Sequence, residues 1–130
     1  MELLGVDLFV HLQQRGDHIS LDYLAQSFRS AMIGLQSIHR CQFLHRDLKI
    51  DNIVMAAPSP SQHTDESNGG IICTNEMKII DFGLMIAVDD PHVGVSTGRI
   101  TGTAGYFAPE TLVHQHYSTK SDIWSVDFMY

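Results

Sequence analysis

The sequence predicts a mainly helical α+β lobe. Three observations predict it: an apolar stripe of helical period after Ser20, short β-branched runs behind it, and a Gly-, Ser- and Thr-rich stretch leading into a second helix near residue 121. Asp7 to Gln14 reads as a short helix, because Leu8, Phe9 and Leu12 share a face and Gly16 sits just past the end. Ser20 is the expected N-cap of a longer helix running to about His39. Its apolar positions are Leu21, Leu24, Phe28, Ala31, Met32, Leu35 and Ile38, whose steps of three and four make one buried stripe. Phe43-Leu44, Ile53-Val54-Met55 and Met77-Lys78-Ile79-Ile80 read as short strands.

Residues 56–75 break the pattern with Pro58, Pro60, Gly69, Gly70 and a run of polar residues without a period. They read as a flexible surface insertion rather than a linker between domains, since the strands on either side look like neighbours. From Leu84 to Phe107, Gly94, Gly98, Gly102 and Gly105 and the absence of long apolar runs predict mostly loop. A helix is expected to begin near Ser121 or Asp122, with Ile123, Trp124, Val126 and Phe128 supplying bulk.

Composition narrows the function classes. The 130 residues suit one domain, and 44% hydrophobic with 18% charged residues is an ordinary globular mix. A net charge of −7 argues against a nucleic-acid binder, which normally presents a basic face. No apolar run approaches the roughly 20 residues that cross a bilayer. Met1-Glu2-Leu3-Leu4-Gly5 has no basic region ahead of its apolar residues, so it is not a secretory signal. Cys41 and Cys73 fit no CxxC pattern, and two reduced thiols in a cytosolic or nuclear protein are expected.

The chemistry concentrates in four motifs. In His45-Arg46-Asp47-Leu48-Lys49-Ile50-Asp51-Asn52, an Asp, a Lys and an Asn lie between two short strands, where one loop can aim all three at a point. A carboxylate there can orient a hydroxyl and accept its proton. A Lys can neutralise a transferring phosphoryl group, and an amide oxygen can bind a hard cation such as Mg²⁺. A polar turn that merely caps strands does not need so many specified positions. Asp81-Phe82-Gly83 follows an apolar strand, which sets a carboxylate at the strand end as a second metal ligand, with Gly83 freeing the turn. The third and fourth motifs are Gly102-Thr103-Ala104-Gly105-Tyr106-Phe107-Ala108-Pro109-Glu110 and Ser121-Asp122-Ile123-Trp124-Ser125.

In this order the four motifs resemble the signature set of the eukaryotic protein kinases, of serine/threonine type. The resemblance covers the chain apart from residues 56–75. It implies a protein-kinase-like fold and transfer of the ATP γ-phosphate to a protein Ser/Thr hydroxyl with Mg²⁺. It makes Asp47 the catalytic base, sets Lys49 on the γ-phosphate, and gives Asn52 and Asp81 the Mg²⁺ ions. Thr103 matches the threonine that hydrogen-bonds the catalytic Asp and Lys. His45 and Phe82 match two stacked residues that link the lobes. The start resembles a kinase hinge: Met1 is the gatekeeper, Glu2 and Leu4 meet adenine, Asp7 lies near the ribose, and Val54 packs beneath the base. Arg46 implies control by a phosphate on the activation segment, added by an upstream kinase at Ser96, Thr97 or Thr101. Thr97 is preferred, because the family's usual spacing falls on Arg99, which cannot accept the phosphate.

The resemblance also has departures. No Gly-rich loop, strand Lys or helix Glu precedes the hinge, and the C-terminal helices of the family do not follow. The chain therefore reads as a partial kinase domain over residues 1–130, from the hinge to the central C-lobe helix with the N-lobe absent, and with little activity expected in isolation. Glu110 lacks the Arg that buries it in the family. Asp127 replaces a Gly and is expected to be exposed, paired or a sequence error. The insertion is lineage-specific or retained intron. A truncated, non-catalytic kinase-like binding module is the alternative reading. A small-molecule phosphotransferase is disfavoured by the full peptide-docking segment at Gly102–Glu110. His114 and His116 are expected in a solvated loop rather than at a metal, and Cys41 is expected to be buried.

Overall fold

The computed structural model describes residues 4–7, 13, 19–56 and 76–130. Along the chain these form β1 (Leu4–Asp7), α1 (Leu21–Arg40), β2 (Phe43–Leu44), a 3-10 turn (Ile50–Asn52), β3 (Ile53–Ala56), β4 (Met77–Ile79), β5 (Ile86–Ala87), β6 (Val95–Ser96), α2 (Pro109–His114), β7 (His116–Tyr117) and α3 (Thr119–Met129). Three antiparallel sheets result: a three-stranded one in the order β1-β3-β4, and the pairs β2-β5 and β6-β7. The neighbouring relation expected of the strands around residues 56–75 holds, since β3 and β4 pair Ile53 with Ile79, Val54 with Lys78 and Met55 with Met77. Ala56 itself ends β3, and residues 57–75, Cys73 among them, lie outside the described residues.

α1 is the spine of the packing. Ser20 caps it as expected, its hydroxyl accepting from the Tyr23 N–H at 3.1 Å. Its buried ridge is Tyr23, Ser27, Ala31 and Leu35, a strict every-fourth-residue row. The apolar reading of the helix was centred slightly to one side of this row. Leu21 is 84% exposed, because it sits on the first turn beyond the reach of the sheet. Ser27 is apolar in effect, since its hydroxyl donates to the Leu24 carbonyl one turn back. Tyr23 and Ala31 pack on Ile53 and Met77 of the sheet, while Leu35 packs with Leu48, Ile79 and Val126 of α3. Ser30 closes the outer edge of β4: its hydroxyl accepts from the Met77 N–H at 2.8 Å and donates to the Met77 carbonyl at 3.2 Å.

Several boundaries differ from the sequence reading for local reasons. Asp7 ends a strand instead of opening a helix, because it pairs across β1 with Val54. Of the rest of the helix expected over Asp7–Gln14, only Gln13 is described, and it is helical. Ile80 falls just beyond β4. α3 begins at Thr119 rather than near Ser121, because Ser118 and Ser121 form a reciprocal capping box. α2 was not expected at all; it is one turn and a half long and is announced only by Pro109 at its first position. Cys41 is exposed, contrary to expectation, because it caps α1 and the chain leaves through Gln42 at φ 61°. Asp127 is exposed on α3, and Glu110 is half-buried at the start of α2.

One buried carboxylate ties the two helices to the loop between β2 and the 3-10 turn. Asp122 on α3 is 3% exposed. It accepts from the successive N–H groups of His45 at 2.9 Å and Arg46 at 3.0 Å, and it meets His39 Nε2 of α1 at 2.9 Å. Arg46 has φ 67°, a left-handed conformation that costs a non-glycine residue and here turns its N–H toward the carboxylate. His45 is fully buried, and that burial pushes its imidazole pKa below 6.5 even though Asp122 nearby favours the charged form.

Two outcomes follow from this anchor. Asp122→Ala leaves the buried His45 N–H, the part-buried Arg46 N–H and His39 Nε2 without this acceptor, and the protein carrying this chain should lose about 3 kcal/mol or more in denaturant unfolding; Asp122→Asn, which keeps one acceptor oxygen, should lose less. Because the fold lowers the His45 pKa, the unfolded chain takes up the proton first. The stability that depends on neutral His45 is complete above pH 6.5 and drains away as pH falls through that value toward the lowered one. Thermal midpoints of wild type and His45→Phe, measured across that window, should converge as the pH drops.

Candidate active site

The loop between β2 and β3 carries three of the residues singled out in the sequence, and the structure brings a fourth to them from far along the chain. Asp47 is 8% exposed. The hydroxyl of Thr103, 56 positions later, donates to Asp47 Oδ1 at 2.6 Å. The same hydroxyl accepts from Lys49 Nζ at 3.1 Å. Lys49 Nζ also lies 3.6 Å from Asp47 Oδ2, an ion pair at the long end of the range. Thr103 therefore sits between a carboxylate and an ammonium, using its one proton on the first and a lone pair on the second.

Asn52 closes the other side. Its Nδ2 donates to the Asp47 carbonyl at 2.9 Å and lies 3.5 Å from Asp47 Oδ2, so the amide is oriented by its nitrogen. Asn52 is 5% exposed, and its Oδ1 accepts no hydrogen bond among the described residues. Its backbone reaches β4, where the Asn52 carbonyl accepts from the Ile80 N–H at 2.9 Å. The Ile80 carbonyl in turn lies 3.3 Å from His45 Nε2. Both polar groups of Ile80 are thus held by the loop, and Asp81, the next residue, is delivered to its edge. Asp81 has φ 61° and is exposed, with Oδ1 accepting from the Gly83 N–H at 3.2 Å. A strained left-handed Asp is a local cost maintained by the surrounding bonds.

Among the described residues no group of three or more His, Cys, Asp or Glu converges on a metal position. The donor set at Asn52 and Asp81 nevertheless suits a hard cation: a buried amide oxygen without a partner among the described residues and an exposed carboxylate, both oxygen ligands. His114 ends α2 exposed, and His116 lies in β7 rather than in a loop, with its Nδ1 3.3 Å from the Ser96 hydroxyl.

The remaining expected residues divide into three groups. The His45 and Phe82 rings meet edge to face, with centroids 5.8 Å apart. Val54 is buried in β3, and β1 runs beside it with Leu4 opposite Ala56 and Asp7 opposite Val54, so these backbones share one sheet. Glu2 and Met1 lie outside the described residues. Of the activation-segment hydroxyls, Ser96 is exposed in β6, Thr97 donates to the Arg99 carbonyl at 2.7 Å, and Thr101 is half-buried. Arg46 Nε donates to the Leu84 carbonyl at 2.8 Å, and its guanidinium lies 5.5 Å from the centre of the Tyr117 ring. The sequence reading missed Asp122 as the anchor of this loop, and His39 and Tyr117 with it. A carboxylate in the first turn of a helix, inside the Ser121–Ser125 motif, was the available signal for the first.

Comparison with known proteins agrees with this geometry. The model of the protein kinase domain matches residues 1–130. A Plasmodium falciparum protein called "Probable serine/threonine-protein kinase 2" is 32% identical over 124 residues, which are 95% of this chain and 21% of the relative. The MAP kinase kinase MKK1/SSP32 of Saccharomyces cerevisiae is 31% identical over 119 residues, 92% of this chain and 20% of the relative. The human serine/threonine-protein kinase Nek11 is 31% identical over 120 residues, 92% of this chain and 16% of the relative. The chain thus spans about a fifth or less of the length of these relatives. With the match running through every motif of the site, the chain belongs to the protein kinase family.

Proposed function

We propose that the protein carrying this chain transfers the γ-phosphate of ATP to serine or threonine hydroxyls of protein substrates. The observation that supports this most is the bonded cluster of Asp47, Lys49 and Thr103. In this reading Asp47 accepts a hydrogen bond from the substrate hydroxyl, aims its oxygen at the γ-phosphorus, and receives the proton as the new P–O bond forms and ADP leaves. Lys49 neutralises charge on the transferring group, and Thr103 keeps Asp47 and Lys49 in register. Asn52 Oδ1 and the Asp81 carboxylate hold Mg²⁺, which when bound supplies charge neutralisation for the phosphates. Glu2, Leu4, Asp7 and Val54 are assigned to the adenosine side of the cleft.

Control by an upstream kinase belongs to the same proposal. A phosphate on Ser96 or Thr97 adds a charge of about −1.5 to −2 and would give the Arg46 guanidinium an anionic partner beside the Leu84 carbonyl and the Tyr117 ring. Thr101 is less suited, because its backbone is already held at both polar groups.

Asp47→Asn tests the transfer. It keeps the shape of the side chain but cannot take the proton, so phosphorylation of a serine peptide should fall by at least roughly 100-fold. Transfer at the wild-type rate would remove Asp47 from the mechanism, whereas no transfer by the unsubstituted protein would leave a non-catalytic, kinase-like binding module. Phosphosite mapping of active protein should find Ser96 or Thr97 occupied; active protein with both sites unmodified refutes the control by phosphate.

A further inference from the structure

The segment that carries Thr103 to Asp47 has no regular secondary structure between β6 and α2, yet it must hold one hydroxyl within hydrogen-bond reach of the carboxylate. Something outside the segment has to fix it. Ser125 of α3 holds the segment beyond Thr103, its hydroxyl donating to the Tyr106 carbonyl at 2.8 Å, and a second residue holds it just before Thr103. Tyr117 in β7 is 2% exposed, and its hydroxyl takes both polar groups of a single residue: it accepts from the Thr101 N–H at 2.6 Å and donates to the Thr101 carbonyl at 2.8 Å. Thr101 stands two positions before Thr103. Between them Gly102 adopts φ 127°, and a Cβ there would collide with the Arg46 carbonyl. The segment is therefore pinned at Thr101 and laid flat on the loop at Gly102 before it delivers Thr103.

Tyr117 is itself held from three sides. β7 pairs it with Val95 of β6. The carbonyl before it, that of His116, accepts from the Thr111 hydroxyl at 2.9 Å. The Arg46 guanidinium lies over its ring. The same aromatic side chain thus contacts the neighbour of Asp47 on its face and the segment of Thr103 at its tip.

We propose that Tyr117 is a positioning residue for phosphoryl transfer, acting through Thr101 on Thr103; this rests on the kinase reading given above. It touches neither substrate nor nucleotide. Its hydroxyl sets the backbone from which Thr103 reaches Asp47, and small displacements of a reacting group cost rate steeply. Thr101 is half-buried, so water can replace the lost bonds in a variant, and the fold should tolerate the change.

Tyr117→Phe removes only the hydroxyl and keeps the ring under Arg46. In the protein carrying this chain, assayed with ATP and a serine peptide, kcat should fall roughly tenfold with KM for ATP unchanged. Amide exchange at Thr101 should quicken. In a Thr103→Ala background the same substitution should cost little further, because the group being positioned is gone. That comparison decides the matter even if Tyr117→Phe lowers the thermal midpoint, since a general weakening of the fold adds to Thr103→Ala and lost positioning does not. An unchanged kcat, or an additive loss in the double variant, overturns the proposal. Asp47→Asn run alongside separates the two readings. If it is inactive while Tyr117→Phe matches wild type, the positioning role alone falls. If it transfers phosphate like wild type, the role of Asp47 falls and takes the positioning role with it; if the unsubstituted protein transfers none, the kinase reading itself falls.

Discussion

The carboxylate of Asp122 is the interaction on which the rest of the site depends. A charge at 3% exposure is tolerated only when its lone pairs are occupied, and here they are filled by His45, Arg46 and His39. Those three donors come from the loop and from α1, while the carboxylate belongs to α3. One buried group therefore sets where the loop leaves β2, how Arg46 twists and how far α1 stands from α3. Asp47 follows Arg46 directly, so its direction is inherited from that twist. The cost of desolvating Asp122 is offset locally by the hydrogen bonds it accepts, and removing it would leave their donors unpaired.

The geometry around Asp47 shows how few side chains are needed to make a loop rigid. Thr103 links a carboxylate and an ammonium through one hydroxyl, and Asn52 fastens the Asp47 carbonyl from behind. The loop also commands the end of β4 through both polar groups of Ile80, so Asp81 arrives beside it without any direct bond from its own side chain to Asp47. The two elements meet through these bonds to Ile80 and through the His45 and Phe82 rings, and they carry Asp47 and Asp81 on neighbouring stretches of chain. The two non-glycine residues in left-handed conformation at this junction, Arg46 and Asp81, mark where local comfort is given up for placement.

Much of this was legible in the sequence, and the reasons for success and failure are physical. α1 was readable because twenty residues of helical period average out local noise, and Ser20 announced its start. The cluster of Asp47, Lys49, Asn52, Asp81 and Thr103 was readable because its motifs specify residue type at short spacing. What escaped were contacts set by tertiary approach. β5, β6 and β7 are two residues each, too short to carry a period, and exist only because a partner lies alongside. Cys41 looked like a small core residue, yet its place on a helix end, where Gln42 turns the chain outward, keeps it in solvent. Tyr117 looked like one more aromatic after a histidine pair. Its value lies in a hydroxyl that meets a residue sixteen positions earlier, which no local pattern records.

The small contact between Ser30 and Met77 has a consequence of a different kind. β4 is the outer strand of its sheet, and an outer strand offers its free N–H and C=O groups to any extended chain that drifts past. Ser30 occupies both such groups of Met77 from a helix that covers the same edge. At that residue the sheet has no ladder left to extend, so growth by strand addition is blocked there without a proline or an exposed lysine. A single hydroxyl thus contributes to keeping the protein from sticking to copies of itself, a form of protection against aggregation that acts independently of anything the site does.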